Sequence, residues 1–562
     1  MFDTDLLIIG SGFAGLWAAI AAKDGGVENV AIVDKGSIGL SSMSRMAAGG
    51  TIYCLPKFDR DLWLADFAEA HGYLCRQDIV ADIIDTSYAR LRRLNSWGLD
   101  YRRMPLTGRY YTLPSRGLHH ARMLVGPRWK GRTGGSALVG ALLEQVRSRG
   151  VDLFPKVLVT DLVQKDGRAC GAVGVNRLTG EAVVFSARAV VLAVADCSFR
   201  GNYACVDQVT GDGFRLAYDA GARLNNMEFL AVNTGSPAFG FEGTGVGARW
   251  GGRFLNRDFE PFMRRYAPDA DRAEIGYLVQ AMAAELVKGD GPPFYFDMSR
   301  KPGSWFMKYG LSSIGGWMPL NIRRLEEKGV HVFRSPQVWA PAVQSLRGGI
   351  RTDVDCMSDI PGLFAAGLCQ SIDPGLFNGW SSMRAMWSGE RAGEAAAGFL
   401  RGSEDIGPGT EEVRALEERA LSYLGRESGV GPDAVCGCLQ EVLFPYTVCI
   451  RKREDRLREA LSEVERIRDG ELPYLYASSP HELAKAHETA GMVLVAELFL
   501  RASIERRETR GDHCREDYPE TDNGRWLKWV NIRKGPDGKP SVELEPVPLS
   551  SYRFRPERRG ET

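Results

Sequence analysis

The sequence predicts an α/β fold grown from one strand–turn–helix–strand unit, and three observations carry the prediction. Leu6-Leu7-Ile8-Ile9 is an apolar run that reads as a buried parallel strand; glycines follow at 10, 12 and 15 before a helical stretch over 16–23; and a second apolar strand, 30–33, ends in Asp34. Gly10 permits a tight turn and Gly12 lets backbone approach a pyrophosphate. Gly15 lets the helix pack on the strand, and the helix N-terminus attracts phosphate charge. Asp34 falls 19 residues after Gly15, where a carboxylate accepts hydrogen bonds from ribose hydroxyls. The unit therefore reads as a Rossmann-like cradle for a dinucleotide, with Ala14 at the helix start and Lys35 beside the acid.

Composition bounds the rest. At 562 residues the chain is long enough for about two to four domains, and 44% hydrophobic residues supply sizeable cores. Lys plus Arg equals Asp plus Glu at 71 each, so no net field recruits nucleic acid or an anionic membrane, and small-molecule chemistry is expected. Eleven scattered cysteines, an odd number, and the lack of a basic or apolar leader before the first strand point to the reducing cytoplasm. The most apolar late stretch, 491–500, is short and carries Glu497, so it reads as a core helix rather than a membrane span.

After Asp34 comes a run of small and hydroxyl residues, Ser41-Ser42-Met43-Ser44-Arg45-Met46-Ala47-Ala48-Gly49-Gly50, suited to lie along a phosphate or a flat ring. Residues 61–97 read as amphipathic helices; His71 and Cys75 share one face there, two side chains that by themselves make no metal site. Arg132-Thr133-Gly134-Gly135 opens a helix, a strand follows at 157–163, and a hairpin turning at Leu178-Thr179-Gly180 leads to a strand at 189–194 that ends Ala193-Val194-Ala195-Asp196. Thr210-Gly211-Asp212-Gly213 opens another helix. Far downstream, Pro361-Gly362-Leu363-Phe364-Ala365-Ala366-Gly367 reads as a strand and turn, followed by a helix carrying Ser381, Ser382 and Met383. Stretches 410–424, 455–468 and 480–507 read as charged amphipathic helices. Cys436, Cys438 and Cys449 lack a fourth thiol at iron–sulfur spacing. Arg510-Gly511-Asp512-His513-Cys514-Arg515-Glu516-Asp517-Tyr518-Pro519 then closes the motif series.

Taken together and in order, these segments resemble the fumarate reductase and succinate dehydrogenase flavoprotein superfamily, which includes L-aspartate oxidase and the adenylylsulfate reductase alpha subunit. The resemblance implies FAD as cofactor, with Gly10, Gly12, Ala14, Gly15, Asp34, Lys35, Ser41, Ser42, Gly49, Gly50, Ala193, Asp212, Gly367, Ser381, Ser382 and Met383 around it. Met43 aligns with the histidine that bonds the flavin covalently in respiratory members, so a noncovalent link is expected. The implied architecture is a split FAD-binding domain (1–226 and 340–400), an inserted α+β capping domain (227–339), a C-terminal helical domain (401–510) and an extension (511–562). A ferredoxin-like iron–sulfur subunit is the implied electron partner.

The resemblance also implies a proton donor, the arginine of Gly252-Arg253-Phe254, with Arg249 and Glu242 as relay. An arginine, whose pKa lies above about 12, needs a rigid positive setting to act so. The substrate clamp departs from the family: its two histidines align with Asn233 and Gln344, and its carboxylate-gripping arginine with Phe377. Losing three positive groups leaves a desolvated dicarboxylate uncompensated, so a non-dicarboxylate substrate is expected, with Trp250, Trp339, Phe377 and Trp380 suggesting a flatter or more apolar one. The expected activity is that of an FAD-dependent reductase or dehydrogenase. The competing readings are an adenylylsulfate-reductase-like enzyme, a stand-alone oxidase and an inactive FAD-binding scaffold.

Overall fold

The computed structural model describes residues 1–239, 247–248, 251–300, 304–305, 318–426 and 428–557. Strand β1 (Phe2–Ile9) runs fully buried over its last four residues into the glycine turn, α1 (Phe13–Asp24) returns antiparallel to it, and β2 (Val30–Asp34) lies parallel beside β1. Helix α2 (Arg60–Ala70), which lacks the amphipathic pattern the sequence predicts, and the amphipathic α3 (Gln77–Ser96) follow, then α4 (Gly135–Ser148) and β3 (Asp152–Pro155), which extends the sheet beyond β2. The hairpin of β4 (Val157–Lys165) and β5 (Arg168–Asn176) brings in β6 (Ala182–Leu192), which pairs parallel with β1. The resulting order is β3-β2-β1-β6-β5-β4, a doubly wound sheet with an antiparallel flap. β4 runs further than the sequence periodicity predicts, to Lys165, because its antiparallel partner β5 supplies ladder bonds to the end of the hairpin.

After α5 (Asp212–Asp219) the chain leaves this sheet and builds a second, antiparallel one from β7 (Leu230–Gly235), β8 (Arg253–Leu255), β9 (Phe294–Asp297) and β10 (Gln337–Leu346), ordered β7-β10-β9-β8. Helix α6 (Ile275–Lys288) lies in the same stretch and packs on β7. The chain then returns to the first sheet through β11 (Leu363–Ala365), which pairs parallel with the C-terminal end of β6. Helix α7 (Trp380–Gly402) follows and lies along α1 so closely that a Cβ on Gly389 would stand 2.2 Å from the Ala14 carbonyl oxygen, and one on Gly393 2.3 Å from that of Ala18. Glycine is required here by backbone proximity. The remaining helices include α8 (Thr410–Leu421), α9 (Pro432–Leu443), α10 (Glu454–Gly470) and the central α11 (Pro480–Glu505), in which residues 491–500 are buried as the sequence predicts, apart from partial exposure at Leu494. A hairpin of β12 (Lys528–Lys534) and β13 (Pro540–Pro546) closes the described chain. Among the described residues, no helix is long and apolar enough to cross a membrane.

Candidate active site

One elongated cavity runs along the C-terminal ends of β1, β2 and β6, the crevice where open α/β sheets bind ligands. At its nucleotide end Gly10 takes a left-handed φ of +106°, and a Cβ there would meet the Ala193 carbonyl oxygen at 2.3 Å. Gly12 caps α1 without any side-chain cap, leaving first-turn N–H groups available to an anion, while the Phe13 N–H donates to Ser44 Oγ at 3.1 Å. Asp34 accepts from the Ser11 N–H at 2.8 Å, the Ser11 hydroxyl at 2.5 Å and the Gly36 N–H at 2.6 Å, a network that fixes the carboxylate at the cavity wall. Lys35 also lines the wall and donates to Thr210 Oγ1 (2.7 Å), Asp212 (2.8 Å) and Glu488 of α11 (2.7 Å). Burial pulls the Lys35 ammonium down, but the two carboxylates outweigh it and hold its pKa well above the ordinary value. Asp212 occupies the first turn of α5 rather than its cap, which is Gly211.

Ala14, Ser41, Ser42, Met43 and Ala47 line the middle of the cavity, as do Ala193, Val194 and Ala195. Ala195 holds the turn after β6 at φ +69°, the left-handed conformation that a glycine adopts without strain. Gly367 and the first-turn residues Ser381 and Ser382 of α7 complete this wall; the Gly367 N–H donates to Ser388 Oγ at 2.7 Å. Four expected cofactor residues stand behind the lining. Gly15 packs on the Gly10 carbonyl, Gly49 on Pro127 and Gly134, and Gly50 on Met123, while the Met383 side chain is fully buried in the core. Among the described residues, none that lines the cavity is a histidine.

At the far end the Asn233 amide donates to Gln344 Oε1 at 2.9 Å, and Phe377 lines the cavity with them. Phe377 stands edge-on to His71, ring centroids 4.9 Å apart. Trp380, expected at the substrate, is instead fully buried and donates its indole N–H to Asp373 Oδ2 at 2.9 Å. Asp373 has no exposed side chain, and its Oδ1 also faces His71 Nε2 (3.2 Å), Arg347 (3.3 Å) and Arg384 (3.6 Å). Burial raises its pKa, but Arg384, His71 and Arg347 more than reverse this and hold the carboxyl well below the ordinary range. Arg347 lines the cavity and Arg384 does not. Asp196, which accepts from the Ser345 hydroxyl, is pushed up to about 6 by burial, against that hydrogen bond and the two arginines.

Arg253 stands on β8 in the second sheet, outside the cavity lining, with its Nε buried and making no hydrogen bond among the described residues. Arg249, Glu242 and Trp250 lie outside the described residues, and Trp339 is buried in the second sheet's own core. The sequence reading missed Arg347, although it sits directly before the Gly348-Gly349 pair that helped to align Gln344. It also left His71 to a helix face, because Asp373, which recruits it, is 302 positions away.

This crevice, with a glycine-rich helix start at one end and a chain that leaves the sheet and returns, matches known proteins along nearly its whole length. The model of the FAD binding domain family matches residues 5–382, and that of the fumarate reductase flavoprotein C-terminus matches 439–561. The chain belongs to the fumarate reductase and succinate dehydrogenase flavoprotein family. One of the subunits of the fumarate reductase (CoM/CoB) of Methanothermobacter marburgensis is 28% identical over 545 residues, 93% of this chain and 95% of the relative. An L-aspartate oxidase of Pseudomonas aeruginosa is 27% identical over 92% of this chain and 96% of its own. Among solved structures, quinol fumarate reductase FrdA of E. coli superposes with a TM-score of 0.87 at 22% identity, covering 99% of this chain and 98% of that one. The flavoprotein is therefore an FAD-dependent oxidoreductase. Its cavity suits that cofactor: the uncapped α1 N-terminus for the pyrophosphate, Asp34 for ribose hydroxyls, and a hydroxyl-lined wall at Ser381 and Ser382 for a polar ring edge.

Proposed function

We propose that this chain is the flavoprotein subunit of a fumarate-reductase-like complex that reduces or dehydrogenates a small substrate other than a C4-dicarboxylate, with FAD bound noncovalently and electrons exchanged through a ferredoxin-like iron–sulfur subunit. When bound, FAD supplies the hydride or electron chemistry; the chain positions the substrate and manages its proton. The observation that carries the reading is the pairing of Asn233 with Gln344 beside Phe377. These neutral side chains hydrogen-bond each other, so the pair offers a ligand dipoles rather than charge, and of two carboxylates at least one would be desolvated without a cation at these positions to compensate it. Met43 at the cavity wall, with no histidine among the described lining residues, supports a noncovalent cofactor.

Two measurements on purified holoprotein test this. Acid precipitation should leave all flavin in the supernatant; flavin retained on the denatured chain contradicts noncovalent binding. With reduced methyl viologen as donor, fumarate should be turned over at background rate, whereas enoate or aromatic acceptors should include one that reoxidises the dye. Steady fumarate reduction would overturn the substrate assignment.

A further inference from the structure

The far end of the cavity holds a buried cation whose bonding is incomplete. Arg347 is 1% exposed and lines the cavity, and its one polar side-chain contact among the described residues is a long one, 3.3 Å, to Asp373 Oδ1. Its Nε makes no hydrogen bond among the described residues. Asp373 cannot complete it: the same oxygen also faces His71 and Arg384, and the other takes the Trp380 indole. A guanidinium presents five N–H donors in a planar fork, and burying it without acceptors is costly. The fork matches a carboxylate bidentately.

The surroundings say what else the ligand must be. Phe377, Leu376 and Ile275 give this end apolar wall, and the Asn233–Gln344 pair gives it one neutral polar patch. Ile275 opens α6, a helix of 14 residues whose cap residue Glu274 makes no side-chain cap bond, so its first-turn N–H groups add a weak positive field on the same side. Of the acids packed nearby, burial, with Asp512 adding and Arg116 opposing, raises Glu274 to about 8 and so keeps it mostly neutral at pH 7, while Asp512 and Asp196, each raised by burial to about 6, stay mostly ionised there and offset part of the field. Lys35, the cation at the nucleotide end of the lining, is already engaged by Asp212 and Glu488.

We propose that Arg347 is the anchor for a single carboxylate and that the substrate is a monocarboxylate with an apolar, aromatic-sized body, held with its charge on Arg347 and its body against Phe377. This rests on the oxidoreductase reading above and narrows its substrate class. The family resemblance supplies no such residue: the positions it implies for gripping carboxylates are occupied by Asn233, Gln344 and Phe377.

The test is equilibrium binding to the FAD-loaded protein, read by perturbation of the flavin absorbance and by calorimetry, with sodium benzoate, benzamide and succinate as probes. Benzoate should bind, benzamide and succinate at least about tenfold more weakly. R347M should weaken benzoate by roughly tenfold to a hundredfold, the range for losing hydrogen bonds to a charged group. Absence of benzoate binding, equal binding of benzamide, succinate binding as tightly as benzoate, or unchanged benzoate affinity in R347M would each overturn the proposal. The benzoate–benzamide comparison uses the wild-type chain, so it decides even if R347M fails to retain FAD. Reduction of the flavin by reduced methyl viologen in the same preparation tests the oxidoreductase reading separately and does not depend on Arg347.

Discussion

Glu274 shows how a single carboxyl records its surroundings. It faces Asp512 from the C-terminal segment and Arg116 from the loop before residues 122–124, and Arg116 in turn also faces Asp271. Burial, reinforced by Asp512 and opposed by Arg116, lifts the Glu274 pKa from 4.5 to about 8. The folded chain therefore binds this proton more tightly than the unfolded chain does. Between pH 4.5 and about 8 stability should fall as pH rises, and above that window Glu274 adds no further slope. Allowing for partial exposure, the loss is about 2 kcal/mol. Glu274→Gln should make that limb of the melting-temperature profile shallower, leaving the smaller contributions of carboxyls such as Asp512 and Asp196; an unchanged profile refutes the assignment. Ala195 is a second local departure, a non-glycine residue held at φ +69° where the sheet meets the cavity.

At the scale of elements, the contact of α1 with α7 sets the cavity's width. α1 carries Ala14 at the nucleotide turn and α7 carries Ser381 and Ser382, so the approach of the two helices positions both walls. Gly389→Ala would place a methyl 2.2 Å from the Ala14 carbonyl oxygen, a distance that backbone must open to relieve. We expect destabilisation of about 1–3 kcal/mol and a lower FAD-to-protein ratio on purification. Full FAD occupancy with an unchanged melting temperature would show that the helices yield freely.

Across the whole molecule, Lys35 ties the nucleotide crevice to the helical region through Glu488 on α11, which also binds Arg200 at 2.6 Å. Burial raises Glu488, but Lys35 and Arg200 pull its pKa down to about 2, so it is ionised throughout the neutral range. Glu488→Ala leaves two cations without their shared acid, and should cost about 3 kcal/mol and weaken FAD retention from a site whose wall it does not itself line. Differential scanning calorimetry with and without added FAD measures both; cofactor affinity equal to wild type would confine Glu488 to packing.

What the sequence determined by itself is the local chemistry: the glycine turn with its strand, helix and closing Asp34, the recurrence of Pro361 to Gly367 as a late strand and turn, and the buried helix around 491–500. These are written in contiguous residues whose periodicity and φ requirements act over a few positions, and they sufficed for the fold class and a dinucleotide cradle; it was the family resemblance that implied FAD. The neutral pair Asn233–Gln344 was legible by position alone, although its mutual hydrogen bond was not. Tertiary structure decided which residues face the cavity. It turned Trp380 and Met383 inward, set Arg253 on the second sheet away from the lining, and gathered His71, Arg347 and the neighbouring Asp373 and Arg384 into one buried cluster. The reason is physical: a side chain's spacing tells its helix face or strand face, but whether a buried charge finds its counter-charge depends on which elements pack together, and that is fixed only when the chain closes on itself.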